Sequence, residues 1–203
     1  DDPVAADSDN TGAVTENSGG AAGDTLVGTD ADAGDTLTWS CVAAGCADGG
    51  ATQTLEGTYG DWVLTVATGA WTWTIDDADS DTQALDPEDT PTDTLAVVLS
   101  DGAGTTDSVT ITVTVTGAND APTSSTPSTQ SGTEDTTFTG YTVSDFPYTD
   151  VDGADTALVS ITITVVESSG DLEKSTDGST YTDVAANDII LNANIQYLRL
   201  APV

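Results

Sequence analysis

Positive charge is almost missing from this chain. Lys174 and Arg199 stand alone against 35 Asp and Glu, and histidine is absent, so the formal net charge is −33 over 203 residues. Without a basic footprint, nucleic acid is excluded as a partner, and so is an anionic membrane surface. Without histidine or a marked nucleophile–base pair, a catalytic reading has little to stand on. A carboxylate-pair glycosidase is formally open, but nothing singles out one pair among so many acids. Methionine is missing too, which leads us to expect a processed chain or a fragment. No apolar run reaches transmembrane length and no signal peptide is present, so no direct membrane insertion is expected. Aromatics make up only 5%, and no stretch of helical periodicity reaches 12 residues.

What remains is period-two alternation. Val109-Thr110-Ile111-Thr112-Val113-Thr114-Val115 places branched apolar and polar residues on opposite faces, as do Trp71-Thr72-Trp73-Thr74-Ile75 and Ser160-Ile161-Thr162-Ile163-Thr164-Val165. These are half-buried strands. In the first part of the chain, strands are predicted near 11–16, 24–29, 36–42, 52–58, 61–67, 70–75, 93–99 and 106–116, punctuated by Gly, Asp and Pro. That spacing predicts an all-β sandwich. Trp39, Trp62, Trp71 and Trp73 all fall in these strands, either as core residues or as a platform for stacking sugars. Cys41 and Cys46 flank a short turn and are expected to form a disulfide in an exported protein. Reduced buried thiols and a soft-metal site are the alternatives.

The acids are patterned as well. Thr29-Asp30-Ala31-Asp32-Ala33-Gly34-Asp35-Thr36 returns as Thr149-Asp150-Val151-Asp152-Gly153-Ala154-Asp155-Thr156. Each copy follows a Glu, Glu16 or Glu134, by 14 and 16 residues respectively. The chain therefore reads as two units, 1–120 and 121–203, separated near Gly117-Ala118-Asn119-Asp120-Ala121-Pro122. Residues 133–203 offer five or six strands, fewer than a sandwich needs. The second unit is expected either to continue beyond Val203 or to be completed by a strand from another chain.

Two unit charges 4 Å apart repel by about 4 kcal/mol at an effective dielectric of 20. A calcium ion reverses that sign, because it takes six to eight oxygen ligands. In an extended segment Asp30 and Asp32 would point to one side, about 7 Å apart. Neither copy is an EF-hand, since the twelfth positions are Cys41 and Ile161. A third run, Asp77 to Asp81, places Glu88 at position twelve but Thr82 where the turn needs Gly. A lone Asp cluster is usually a solvated turn; the duplication argues for more. Halophilic adaptation explains scattered acids but not a repeated triplet.

Nearly all of residues 1–122, most specifically Gly57-Thr58-Tyr59-Gly60, the Trp-Thr-Trp-Thr strand, Gln83-Ala84-Leu85, Ser100-Asp101-Gly102 and the closing Gly117 to Pro122, resembles a VCBS-type repeat of large bacterial surface proteins. Residues 123–203, with Ser144-Asp145-Phe146-Pro147-Tyr148-Thr149-Asp150 and a late Ile195 to Pro202 strand, are similar to cadherin-like adhesin domains. The resemblance implies two tandem Ig/cadherin-like β-sandwiches and an extracellular or cell-surface location. It also implies Ca2+ at the junctions. One set would be Glu16, Asn119, Asp120, Asp150 and Asp152, with Glu134 and Asp155 nearby. Asp30, Asp32 and Asp35 would serve the preceding junction, and Asp101 is an additional ligand candidate. Expected partners are neighbouring repeats or copies of the same chain, with surface polysaccharide a lesser candidate. A calcium-rigidified extender in an adhesin or biofilm matrix, a filament subunit joined by strand donation, and a carbohydrate-binding module are the functional classes that follow.

Overall fold

The structure is a computed structural model that describes residues 1–6, 10–32, 34–125, 129–153, 157–166 and 170–202. The chain divides into two compact units, Asp1–Asp120 and Ala121–Val203.

The first unit contains β1 (Val4–Ala5), β2 (Thr11–Thr15), β3 (Ala21–Thr25), β4 (Gly28–Thr29), β5 (Thr38–Cys41), β6 (Ala47–Asp48), β7 (Thr52–Glu56), β8 (Gly60–Thr65), β9 (Ala70–Ile75), the one-turn helix α1 (Ser80–Gln83), β10 (Thr92–Ser100) and β11 (Thr106–Thr116). They form two main sheets, β2-β11-β10-β5 and β3-β9-β8-β7-β6, while β1 pairs with β4. This is an all-β sandwich. The alternating residues do what period two requires: Leu95, Val97 and Leu99 of β10 and Val109, Ile111, Val113 and Val115 of β11 are buried, and the residues between them are not. Facing them are Trp62, Leu64, Trp71, Trp73 and Ile75 of the other sheet. Trp62 lies 5.8 Å from Trp71 and 6.4 Å from Trp73, ring centre to ring centre. All four tryptophans are buried, so they are core residues and none offers a sugar platform.

Cys41 and Cys46 form a disulfide across five residues of sequence. It joins an edge strand of one sheet to the loop entering the edge strand of the other. A loop this short contributes about 2 kcal/mol by restricting the unfolded chain.

The acidic run 76–81 builds no helix–loop–helix. Asp79 caps α1 by accepting from the Asp81 amide, and Asp77 accepts from the amides of Asn17 at 2.8 Å and Gly19 at 3.0 Å. These carboxylates are spent on turns.

The second unit contains β12 (Thr123–Ser124), β13 (Phe138–Thr139), a 3₁₀ turn (Val143–Asp145), β14 (Tyr148–Thr149), β15 (Ser160–Ile163), β16 (Asp171–Lys174), β17 (Thr182–Asp183), β18 (Asp188–Leu191), the one-turn helix α2 (Asn192–Ile195) and β19 (Arg199–Ala201). Its sheets are β13-β19-β16-β17, β15-β18 and β12-β14. The core is small, with Val184, Ile190, Ile195 and Leu198 buried and Ile161, Ile163, Leu172 and Tyr141 packed on it. The only two basic side chains of the chain both sit here. Lys174 pairs with Asp188 at 2.5 Å and so links β16 to β18 of the smaller sheet. Arg199 meets Glu173 at 2.5 Å and lies over the Tyr181 ring.

Candidate metal centre

Two ends of the first sandwich gather the acids, and β11 separates them. An eleven-residue strand extends for about 35 Å.

At one end, the β10–β11 hairpin turns through Asp101. Its carboxylate accepts from the Ala103 amide at 2.7 Å and the Thr105 hydroxyl at 2.6 Å. The Thr105 hydroxyl, followed by backbone amides of the turn, holds the Asp101 carboxyl below its ordinary value despite burial. β4 delivers Asp30 to the same end, because Gly28 packs so closely that a Cβ there would lie 2.6 Å from Leu99. One Asp30 oxygen accepts from the Asp32 amide at 2.8 Å. Its other oxygen, Oδ2, is fully buried and accepts no hydrogen bond.

The chain then bends and returns Asp35. Carboxylate oxygens of Asp30, Asp35 and Asp101 lie within 4.8 Å of one another, the one such group of three among the described residues. Oxygens bound to a single calcium at roughly 2.3–2.6 Å are at most about 5 Å apart, so the three fit one ion. Asp101 is buried, Asp30 half-buried and Asp35 exposed, which leaves an open side where water would complete the shell. This unit's sequence holds neither Lys nor Arg, and a bound metal is one way to offset this charge.

Asp32 behaves differently from the extended geometry expected for it. The hydrogen bond from its amide to Asp30 folds the segment into a local turn, and the Asp32 carboxylate pairs with the amino group of Asp1. It is not part of the group of three.

At the far end, the parallel pairing of β2 with β11 brings Glu16 beside the residues that follow β11. The buried Glu16 accepts from the Ala118 amide at 2.9 Å. Asn17, at φ 58°, donates its side-chain amide to Asp120 at 3.0 Å. Asn119 is exposed and its side chain donates to the Asp120 carbonyl.

The repeated triplet of the second unit has the same local setting as the first. β1 pairs with β4 through Val4 and Thr29, and Asp30 follows. β12 pairs with β14 through Thr123 and Thr149, and Asp150 follows. Asp150 likewise keeps one fully buried oxygen, Oδ1, that accepts no hydrogen bond. Asp152 is buried, Glu134 is exposed, and Asp155 lies outside the described residues.

Several described carboxyls are held low by hydrogen bonds, among them Asp101, Asp107 through the Ala5 amide, Asp177 through the Thr180 amide, and Asp188 through Lys174. Their stabilisation is complete above the ordinary carboxylate value of 3.8 and is lost as pH falls through the depressed values. Acid unfolding in chelator is therefore expected to begin below that value. A midpoint well above it in circular dichroism would contradict these bonds.

No family model matches the chain, and no curated protein matches it. Solved structures do. Protocadherin gamma B7 extracellular cadherin domains 1–4 match at 17% identity and a TM-score of 0.48, covering 93% of this chain and 42% of that one. Mouse cadherin-23 EC22–24 matches at 17% identity and 0.45, covering 96% and 55%. Human CDH23 EC21–23 matches at 17% identity and 0.42, covering 81% and 50%. The chain thus spans about half the length of these structures. The sandwich assignment itself stands on the strand pairing above.

Proposed function

We propose that this chain is a calcium-rigidified structural module, an extender within a secreted or cell-surface bacterial adhesin or biofilm-matrix protein. The observation that carries this reading is the convergence of Asp30, Asp35 and Asp101 at one pole of a sandwich whose sequence has neither Lys nor Arg. Asp30, Asp35 and Asp101 would hold one Ca2+. Asp32, two residues on from Asp30, would be a further ligand. The sequence resemblance implies a second set of calcium ligands, Glu16, Asn119, Asp120, Glu134, Asp150, Asp152 and Asp155, and ions held there would stiffen the connection. The ion supplies positive charge and fixes its ligands; the protein supplies oxygens and no catalysis.

The sequence resemblance to VCBS-type and cadherin-like adhesin domains supports the same reading, as does the repeated strand-pair-then-Asp arrangement. Partners are then neighbouring repeats of the same chain. A polysaccharide-binding role loses its main support with the burial of all four tryptophans.

Small-angle scattering tests the mechanical part. The maximum dimension and the flexibility of the profile are expected to change between chelator and calcium, with the calcium form stiffer. Superimposable profiles would rule out rigidification.

A further inference from the structure

We propose that β15 is a dimerisation edge, on which a second copy of this chain adds its own β15 antiparallel about a two-fold axis at Thr162. Among the described residues β15 pairs with β18 alone, and no described strand lies on its other edge. The Asn192 amide donates to the Val159 carbonyl at 2.9 Å. That phase turns the backbone groups of Val159, Ile161 and Ile163 toward β18. Those of Ser160 and Thr162 therefore face outward.

Proteins blunt such edges with charge, glycine, proline or cover. The other sandwich does so. In β5 the Trp39 amide reaches the Val66 carbonyl at 2.9 Å and the Cys41 amide reaches the Gln53 side chain at 2.6 Å, while β3 carries Gly23 and Asp24. Residues 157–166, Ala-Leu-Val-Ser-Ile-Thr-Ile-Thr-Val-Val, carry no charge, glycine or proline. In a chain of net charge −33, an uncharged edge is where a second copy can approach without placing carboxylates in the ladder.

The segment also reads alike in both directions from Thr162. Ile161 mirrors Ile163, Ser160 mirrors Thr164, Val159 mirrors Val165, and Leu158 mirrors Val166. A two-fold interface requires such self-complementarity. Antiparallel addition would set Thr162 opposite Thr162 of the second copy, exchanging both outward hydrogen bonds. Ile161 would meet Ile163 on the face that packs on the core. Val159 and Val165, 75% and 81% exposed, would cover one another. The result is a continuous four-stranded sheet, β18-β15-β15-β18.

The test is sedimentation equilibrium of the whole chain in chelator, which separates it from the calcium reading. Sodium chloride at about 0.15 M shortens the screening length to about 8 Å, which damps repulsion between distant carboxylates of the two copies but leaves charges placed on the axis within reach of one another. The wild type is expected to be dimeric. Thr162→Lys and Thr162→Asp each place like charges on the axis. Each is expected to weaken the dimer by about 100-fold, two tenfold steps in affinity. Mixed in equal amounts, the two variants should dimerise again, because Lys then faces Asp. A monomeric wild type, or single variants as dimeric as the wild type, would overturn the proposal. Amide exchange on the wild type decides the matter if a variant misfolds. Exchange at Ser160 and Thr162 should slow as protein concentration rises. Concentration-independent exchange, whether fast or already slowed by another segment, would overturn it as well.

Discussion

Adding calcium to chelator-stripped protein is expected to raise the melting temperature of the first unit by roughly 10 °C. Calcium sites of extracellular modules bind at about 10⁻⁴–10⁻³ M. At about 10 mM calcium, mass action then gives about 2 kcal/mol for one site that exists only in the folded state. For a unit of this size each kcal/mol is worth about 5 °C. Asp35→Asn is the informative variant, since Asp35 is exposed and belongs to the group of three. It should leave the melting temperature in chelator unchanged or slightly raised, because one repelling charge is gone, and it should lose most of the calcium response. Asp101→Asn should also lose the response, but at a cost in chelator. The Ala103 amide and the Thr105 hydroxyl donate to different oxygens of the carboxylate, and Asn keeps an acceptor at only one of those two positions. Differential scanning calorimetry of the three proteins, with and without calcium, reads all of this. Equal calcium shifts in the wild type and Asp35→Asn would remove Asp35 from the site.

The second large effect concerns an acid that has nothing to do with metal. Asp93 is buried at 5% exposure and accepts from three donors: the Thr58 amide at 3.1 Å, the Tyr59 amide at 3.0 Å and the Trp73 indole at 3.1 Å. It pins the Gly57-Thr58-Tyr59-Gly60 turn to β9 through the buried Trp73. Asp93→Ala would strand these donors, at about 1–3 kcal/mol each where water cannot reach them. A loss of about 4 kcal/mol is expected in urea unfolding, a large part of the stability of any domain. Both glycines of the turn are fixed by the same packing. A Cβ at Gly57 would lie 2.5 Å from the Asp93 carboxylate, and one at Gly60 would lie 2.3 Å from the Thr74 carbonyl and 2.6 Å from the Trp73 ring. Gly60→Ala should therefore also destabilise strongly, since backbone and indole cannot move aside. An Asp93→Ala protein within about 1 kcal/mol of wild type would mean that water replaces the carboxylate.

Asp35, Asp101 and Asp93 show what the sequence makes visible and what it does not. The alternation in 106–116 and 70–75 locates β11 and β9 to the residue, because branched and aromatic residues on one parity can only be a half-buried strand. The segment predicted as one strand near 24–29 is in fact two, β3 and β4. Ala21-Ala22-Gly23-Asp24-Thr25 has no bulky apolar residue to reveal its phase. β3 forms because Gly23 lets it lie against β9, where a Cβ would stand 2.7 Å from the Trp71 carbonyl. In the second unit the two-residue strands carry too short a pattern to be read at all.

The candidate site was legible in part. The duplicated triplet points to Asp30 and Asp35, and its strand-pair setting recurs with it. The turn at Asp30 was not legible, since an Asp that bonds the amide two residues on looks the same in sequence as one in an extended segment. Asp101 comes from a hairpin far along the chain, and only the fold brings it to Asp30. Asp93 did carry a signal. It shares parity with Leu95, Val97 and Leu99, and a charged residue on the inward face of a strand must be paired with donors there.

The most direct measurement is an anomalous difference map from crystals grown in saturating calcium. A peak is predicted among the carboxylates of Asp30, Asp35 and Asp101, with oxygens of all three at about 2.3–2.6 Å from it. Well-ordered carboxylates at that pole, turned apart toward solvent with no peak between them, would contradict the account.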